Sequence, residues 1–65
     1  MLNISPWDYL NRYRVLRSKH LLMSTDETVG HIARKVGFKD QAYFNRVFSK
    51  ISGMSPQAFR EKSLT

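Results

Sequence analysis

Apolar residues recur along this chain with helical spacing, in separate blocks divided by Gly, Pro and short polar runs. The pattern is sharpest between Val29 and Phe48. Val29, Ile32, Ala33 and Val36 share one face at about 100° per residue, and Phe44, Val47, Phe48 and Ile51 share one face of the next block. This predicts two short helices, over 27–36 and from 41 to about 51, joined by a tight turn at Gly37. Thr25 or Asp26 is the expected cap of the first and Asp40 of the second. Upstream, Ser5-Pro6 marks the start of a long helix over 5–23. Ser5 is placed to cap it, Pro6 suits its first position, Asp8 suits its first turn, and Ser24-Thr25-Asp26 breaks it. Downstream, Gly53 ends the preceding helix and Ser55-Pro56 repeats the start signal. A short closing helix over 56–62 is expected, with Phe59 inward and Arg60 and Lys62 outward. Met1 to Ile4 reads as a frayed start. No block alternates with a period of two. The expected fold class is all-α: a small orthogonal helical bundle in one domain over 1–65.

Ala33 and Gly37 are the informative pair. Two helices that cross steeply need a small residue at their contact, which Ala33 supplies. The chain must then reverse at once, and Gly37 can take the positive φ that ends a helix without a steric penalty. This is a helix-turn-helix signature. The competing reading is an ordinary helical hairpin in a small bundle. Phe38, after the turn, is expected in the core.

The long helix carries two apolar stripes. Trp7, Leu10, Val15, Leu21 and Leu22 lie on one side with Ser18 among them, whereas Tyr9, Tyr13, Leu16 and His20 lie on nearly the opposite side. A surface helix of a lone domain needs one apolar face, so a second suggests a second body to pack against. Single exposed tyrosines and leucines are nevertheless ordinary. Arg14 lies close to the first stripe and is expected to be a partly buried structural arginine.

Size and charge narrow the functional classes. A chain of 65 residues buries only about 60% of the surface it exposes unfolded, and the absence of cysteine leaves neither disulfide nor thiolate metal site to staple it. No apolar run approaches a membrane span and no signal-peptide core is present, so a cytoplasmic protein with no membrane partner is expected. An enzyme is not expected: there is no cysteine nucleophile, no pair of carboxylates in an apolar setting and no Gly-rich phosphate loop. His20 and His31 lack the companions of a metal site, and no cofactor is implied. The net charge of +6, from eleven Lys and Arg against five acids, is spread along the chain. A folded basic domain commonly meets a polyanion, of which nucleic acid is the usual one.

With Phe44, Val47, Phe48 and Ile51 toward the core, the third helix presents Ala42, Asn45, Arg46 and Ser49 outward, with Gln41 at its leading edge. Arg can grip the two acceptors of guanine, Asn or Gln can pair with adenine, and Ala42 suits a thymine methyl. These candidates for base contact sit in the N-terminal half, the part that enters the major groove in a helix-turn-helix. Lys39, Lys50 and Arg34 are candidates for phosphate contact, and Tyr43 either reaches a phosphate or shields the edge of the core. A solvated polar face is the plain alternative, but such a face would often include carboxylates, and this one has none.

Pro6-x-x-Tyr9-Leu10-x-x-x-Arg14, Leu21-Leu22, Ile32-Ala33-x-x-x-Gly37-Phe38-x-Asp40-x-x-Tyr43-Phe44-x-x-x-Phe48 and Gly53-Met54-Ser55-Pro56-x-x-Phe59-Arg60 together resemble the C-terminal signature of AraC/XylS-type transcriptional regulators. The resemblance implies a double-stranded-DNA-binding unit with two helix-turn-helix subdomains joined by a long helix. This chain matches the joining helix, the second subdomain (27–51) and the closing helix. Carried over, the base contacts fall on Gln41, Ala42, Asn45 and Arg46. The missing first subdomain would pack on Tyr9, Tyr13, Leu16 and His20, and RNA polymerase is a further partner expected through the parent protein. Ser18 stands where alanine is usual and Gly30 where a larger residue is usual; both are expected to bear on packing and not on the reading helix. The rival from another class is a protein-interaction or dimerisation module that makes no direct DNA contact.

Overall fold

The computed structural model describes residues 6–63, which form four helices: α1 (Pro6–Ser24), α2 (Val29–Lys35), α3 (Gln41–Ser52) and α4 (Pro56–Ser63). No strand occurs among the described residues. The expected Ser5 cap and the start at Met1 to Ile4 lie outside them. No described helix is long and apolar enough to cross a membrane.

Local chemistry sets the helix ends. The Asp40 carboxylate accepts the Tyr43 backbone N–H at 2.8 Å and starts α3. Ser55 Oγ accepts the Ala58 N–H at 3.1 Å ahead of Pro56, which starts α4. Gly37, at φ 108°, closes α2: its own N–H donates to the Arg34 carbonyl, and the Phe38 N–H donates to that of Ala33. This paired closure satisfies two carbonyls that would otherwise be orphaned. Gly53, at φ 79°, ends α3 with a single bond, its N–H donating to the Ser49 carbonyl at 2.8 Å.

The start of α2 differs from expectation. Its cap is Thr28, whose hydroxyl accepts the His31 N–H at 3.1 Å, and not Thr25 or Asp26. Thr25 is already engaged. Its Oγ1 donates to the Leu21 carbonyl at 2.8 Å and accepts the Glu27 N–H at 3.2 Å, so it finishes α1 and shapes the turn instead. The second helix is therefore shorter than the 27–36 span its apolar pattern suggested.

The core joins all four helices. Val15 and Leu22 of α1, Val29, Ile32 and Ala33 of α2, and Phe44, Val47 and Phe48 of α3 are buried with Val36 and Phe38 of the turn. Phe59 of α4 packs against them. Ala33 and Ile32 are fully buried, as the close crossing of α2 on α3 requires. Six rings run through this core in a chain: Trp7 to Tyr43, Tyr43 to Phe38, Phe38 to Phe44, Phe44 to Phe48 and Phe48 to Phe59, with centroid separations of 5.1–6.4 Å and tilted or edge-on planes.

The buried stripe of α1 is narrower than its apolar pattern. It consists of Asn11, Val15, Ser18 and Leu22, spaced 4-3-4. Trp7 is 58% exposed and Leu10 40%. Leu10 sits about 100° round the helix from Asn11 and so turns off the seam; Trp7 is on the seam but near the open end of α1, where its ring meets that of Tyr43. Tyr9, Tyr13, Leu16 and His20 face away from the core and are exposed. Arg14 is half-buried, with its guanidinium 5.8 Å from the Phe38 ring centroid.

Arg60 corrects another expectation. It does not point outward: its Nε donates to the Leu22 carbonyl at 3.1 Å and a terminal nitrogen donates to the Thr25 carbonyl at 3.0 Å. The end of α1 leaves carbonyls without intrahelical partners, and a guanidinium is a favourable donor there by both hydrogen bonding and charge.

Candidate nucleic-acid interface

The helix α3 is held by its back. Phe44 and Phe48 are fully buried and Val47 nearly so, while Gln41, Ala42, Arg46 and Lys50 are exposed. No acidic side chain occurs within α3. The outward surface of the helix is thus built from neutral amides, one methyl group and cations, on a rigid back.

The polar residues of that surface divide between two flanks. Gln41 and Asn45 line a cleft shared with Thr28 and Gly30 at the start of α2, and with Ser55 and Gln57 near the start of α4. Tyr43, Arg46 and Lys50 line another cleft, shared with the N-terminal half of α1. Ala42 is exposed and lines neither. The side chains singled out in the sequence therefore do not form one cluster; they bracket the helix.

Asn45 is less open than its position in the sequence suggested. It is half-buried, and its Oδ1 is enclosed with no hydrogen-bond donor against it. Tyr43 is also half-buried, its ring between those of Trp7 and Phe38, so the ring shields the edge of the core. Lys39 and Arg34 are exposed. Arg34 lines a shallow recess with His31, Asp40 and Gln41, which puts a cation beside the leading edge of α3. Its neighbour Lys35 is tied up: Nζ lies 3.0 Å from a Glu27 carboxylate oxygen, and His31 Nδ1 lies 3.2 Å from the other.

Gly30 bears on α3 directly, contrary to the expectation that it matters for packing alone. A Cβ added there would lie 2.9 Å from Gln41 Oε1. The absent side chain is the space in which the Gln41 carboxamide rests. A glycine inside an apolar helical pattern was a visible signal, but only the crossing of α2 and α3 says which side chain uses the room.

Asn11 is the residue that the sequence pattern did not single out. It is 3% exposed, on the buried stripe of α1, and its Nδ2 has no acceptor among the described residues. An amide at a core-facing position of an otherwise apolar seam was the available clue.

A family model described as a helix-turn-helix domain matches residues 1–62. The HTH-type transcriptional regulator YisR of Bacillus subtilis is 41% identical over 61 residues, which are 94% of this chain and 21% of that protein. The HTH-type transcriptional activator RhaS of Escherichia fergusonii is 40% identical over 58 residues, covering 89% of this chain and 21% of the relative. The arabinose operon regulatory protein of Escherichia coli is 42% identical over 59 residues, 91% of this chain and 20% of the relative. Among solved structures, the C-terminal domain of the two-component response regulator yesN from Fusobacterium nucleatum matches with a TM-score of 0.85 and 36% identity, over 91% of this chain and 57% of that one. The chain spans about a fifth of the length of the curated relatives it matches.

Proposed function

The chain belongs to the AraC/XylS-type helix-turn-helix family, the DNA-binding domains of transcription regulators, and from that premise we propose that α3 is its reading helix and enters the major groove of double-stranded DNA. Gln41, Ala42, Asn45 and Arg46 contact bases. Arg34, Lys39, Tyr43 and Lys50 contact the phosphates that set its register. The observation that carries this reading is the composition of α3: a back anchored by Phe44 and Phe48 and an exposed surface without a carboxylate. A carboxylate-free, amide- and cation-bearing helix is complementary to a groove walled by phosphates.

The two flanks of α3 divide the work. The Gln41–Asn45 flank brings carboxamides toward one side of the groove, and the Arg46–Lys50 flank brings cations toward the other. Asn45 can offer its amide nitrogen or, after a modest side-chain turn, its enclosed Oδ1.

The same reading accounts for the exposed stripe of α1. Tyr9, Tyr13 and Leu16 are 67%, 52% and 65% exposed. The curated relatives are more than four times as long as this chain, and the solved C-terminal domain extends well beyond the matched part. We assign the stripe, with His20, to the first helix-turn-helix subdomain of a longer parent protein. That parent acts in the cytoplasm on transcription, without catalysis of its own, and meets RNA polymerase at the promoter. A protein-interaction module without DNA contact is the second reading, favoured by the same stripe.

Titration of a fluorescent duplex at two salt concentrations separates the two. DNA binding through this surface loses affinity with a log–log slope near −0.9 per phosphate neutralised. Arg46→Ala costs about 1–3 kcal/mol at a preferred sequence. Binding that ignores both salt and Arg46 assigns the domain to protein interaction.

A further inference from the structure

The cleft between α1 and α3 encloses about 370 Å³ and is walled by Trp7 and Arg12 on one side and by Tyr43, Arg46 and Lys50 on the other. Val47 and Ile51 supply its apolar floor, and Asp8 is the one carboxylate that lines it. Asn11 lines it too. A buried amide N–H without an acceptor costs stability, about as much as a hydrogen bond is worth, and persists in a native domain for a reason. Asn11 lines a cleft whose other lining residues include three cations, Arg12, Arg46 and Lys50, and its Nδ2 is enclosed behind that lining. What it lacks is an acceptor, and the charge of its surroundings selects an acceptor that is an anion.

Building on the reading of α3 given above, we propose that this cleft receives a backbone phosphate of the bound duplex, with Asn11, its side chain turned so that the enclosed Nδ2 meets the cleft, as a neutral hydrogen-bond donor to it and Arg12 as its counter-charge from α1. An α-helix with side chains is about 10–12 Å across, and the major groove is about 12 Å wide. A helix seated there has a sugar–phosphate ridge along each flank. On the Arg46–Lys50 flank of α3 the next surface is α1, so the ridge on that side runs past the mouth of the cleft. The long helix thereby joins the interface as a clamp on one strand, in addition to supporting the helix-turn-helix.

The role of Asn11 separates from a structural one because the two predict opposite effects. Asn11→Leu keeps the branched shape of the side chain, its extra bulk taken up by the adjoining cleft, and removes the unpaired donor, so the domain melts no lower than wild type. Its affinity for duplexes of any sequence falls roughly tenfold at low salt, with the salt slope unchanged because no charge is lost. Arg12→Gln lowers affinity with a slope shallower by about 0.9. In two-dimensional NMR, the Asn11 side-chain amide shifts on titration with duplex. Wild-type affinity in Asn11→Leu, or a loss explained by unfolding, overturns the proposal. A saturable shift with inorganic phosphate but none with duplex assigns the cleft to a free anion and overturns it as well. If Arg46→Ala loses binding while Asn11→Leu does not, the clamp falls and the reading helix stands. If wild type binds no duplex, both fall.

Discussion

The guanidinium of Arg60, near the end of the chain, donates to the carbonyl of Leu22, near the end of α1, at 3.1 Å, and so ties the closing helix to the long one. A further bond to Thr25 lies 3.0 Å away, so a single side chain finishes one helix and anchors another. Arg60→Ala leaves carbonyls at the end of α1 without this donor. The expected loss is about 2 kcal/mol, since hydrogen bonds from a charged donor contribute more than neutral ones. Lysine restores only part of it, because a single ammonium does not reproduce the fork. Chemical denaturation of the three forms measures both effects.

The turn at Gly37 is held from outside as well as by its own backbone. At φ 108° an L side chain is strained, and an added Cβ would lie 2.9 Å from Arg14 Nε. Gly37→Ala is expected to cost more than about 1 kcal/mol. Combining it with Arg14→Ala removes the clash but not the backbone strain. A thermodynamic cycle across the four proteins should therefore show a favourable coupling between the two substitutions.

Gly30→Ala tests structure and function together. Gly30 lies in the first turn of α2, where alanine is favoured over glycine by less than the ~1 kcal/mol of a helix interior. The new Cβ presses on Gln41 Oε1 at 2.9 Å, which is the far end of a flexible side chain and can move. Stability should rise while Gln41 is displaced. If Gln41 reads a base, a panel of duplexes varied at single positions will show altered preference at one position and unaltered preference elsewhere.

Ser18→Ala is expected to be close to neutral. Ser18 is fully buried, and its Oγ donates to the Val15 carbonyl at 2.6 Å, within its own helix. Removing the hydroxyl leaves that carbonyl in the helical ladder, and alanine has the better helix propensity. The change in unfolding free energy should stay within about 0.5 kcal/mol by thermal melts, in contrast to Arg60→Ala.

Periodicity and punctuation in the chain already carried the helix count, the aromatic back of α3, the positive φ of Gly37, the stop at Gly53, and the Asp40 and Ser55 caps. Each rests on a local rule: the pitch of a helix, the missing Cβ of glycine, or a side-chain oxygen reaching an N–H three residues on. Where two local rules competed, sequence was not enough. The sequence pointed to Thr25 or Asp26 as the cap of α2, yet Thr28 caps it, because the Thr25 hydroxyl is taken by Leu21 and Glu27.

The sequence by itself determined the elements of this protein and the residue types on the outer face of α3. Only the tertiary structure decided that Arg60 turns inward, that Gly30 makes room for Gln41, that Asn11 is buried beside a cationic cleft, and that the Gln41 and Arg46 flanks of α3 face different clefts. The physical reason is the same in each case. Helix starts and stops are fixed by neighbours within a few residues, whereas the partner of a long or polar side chain depends on how the helices cross, and that is set by the core as a whole.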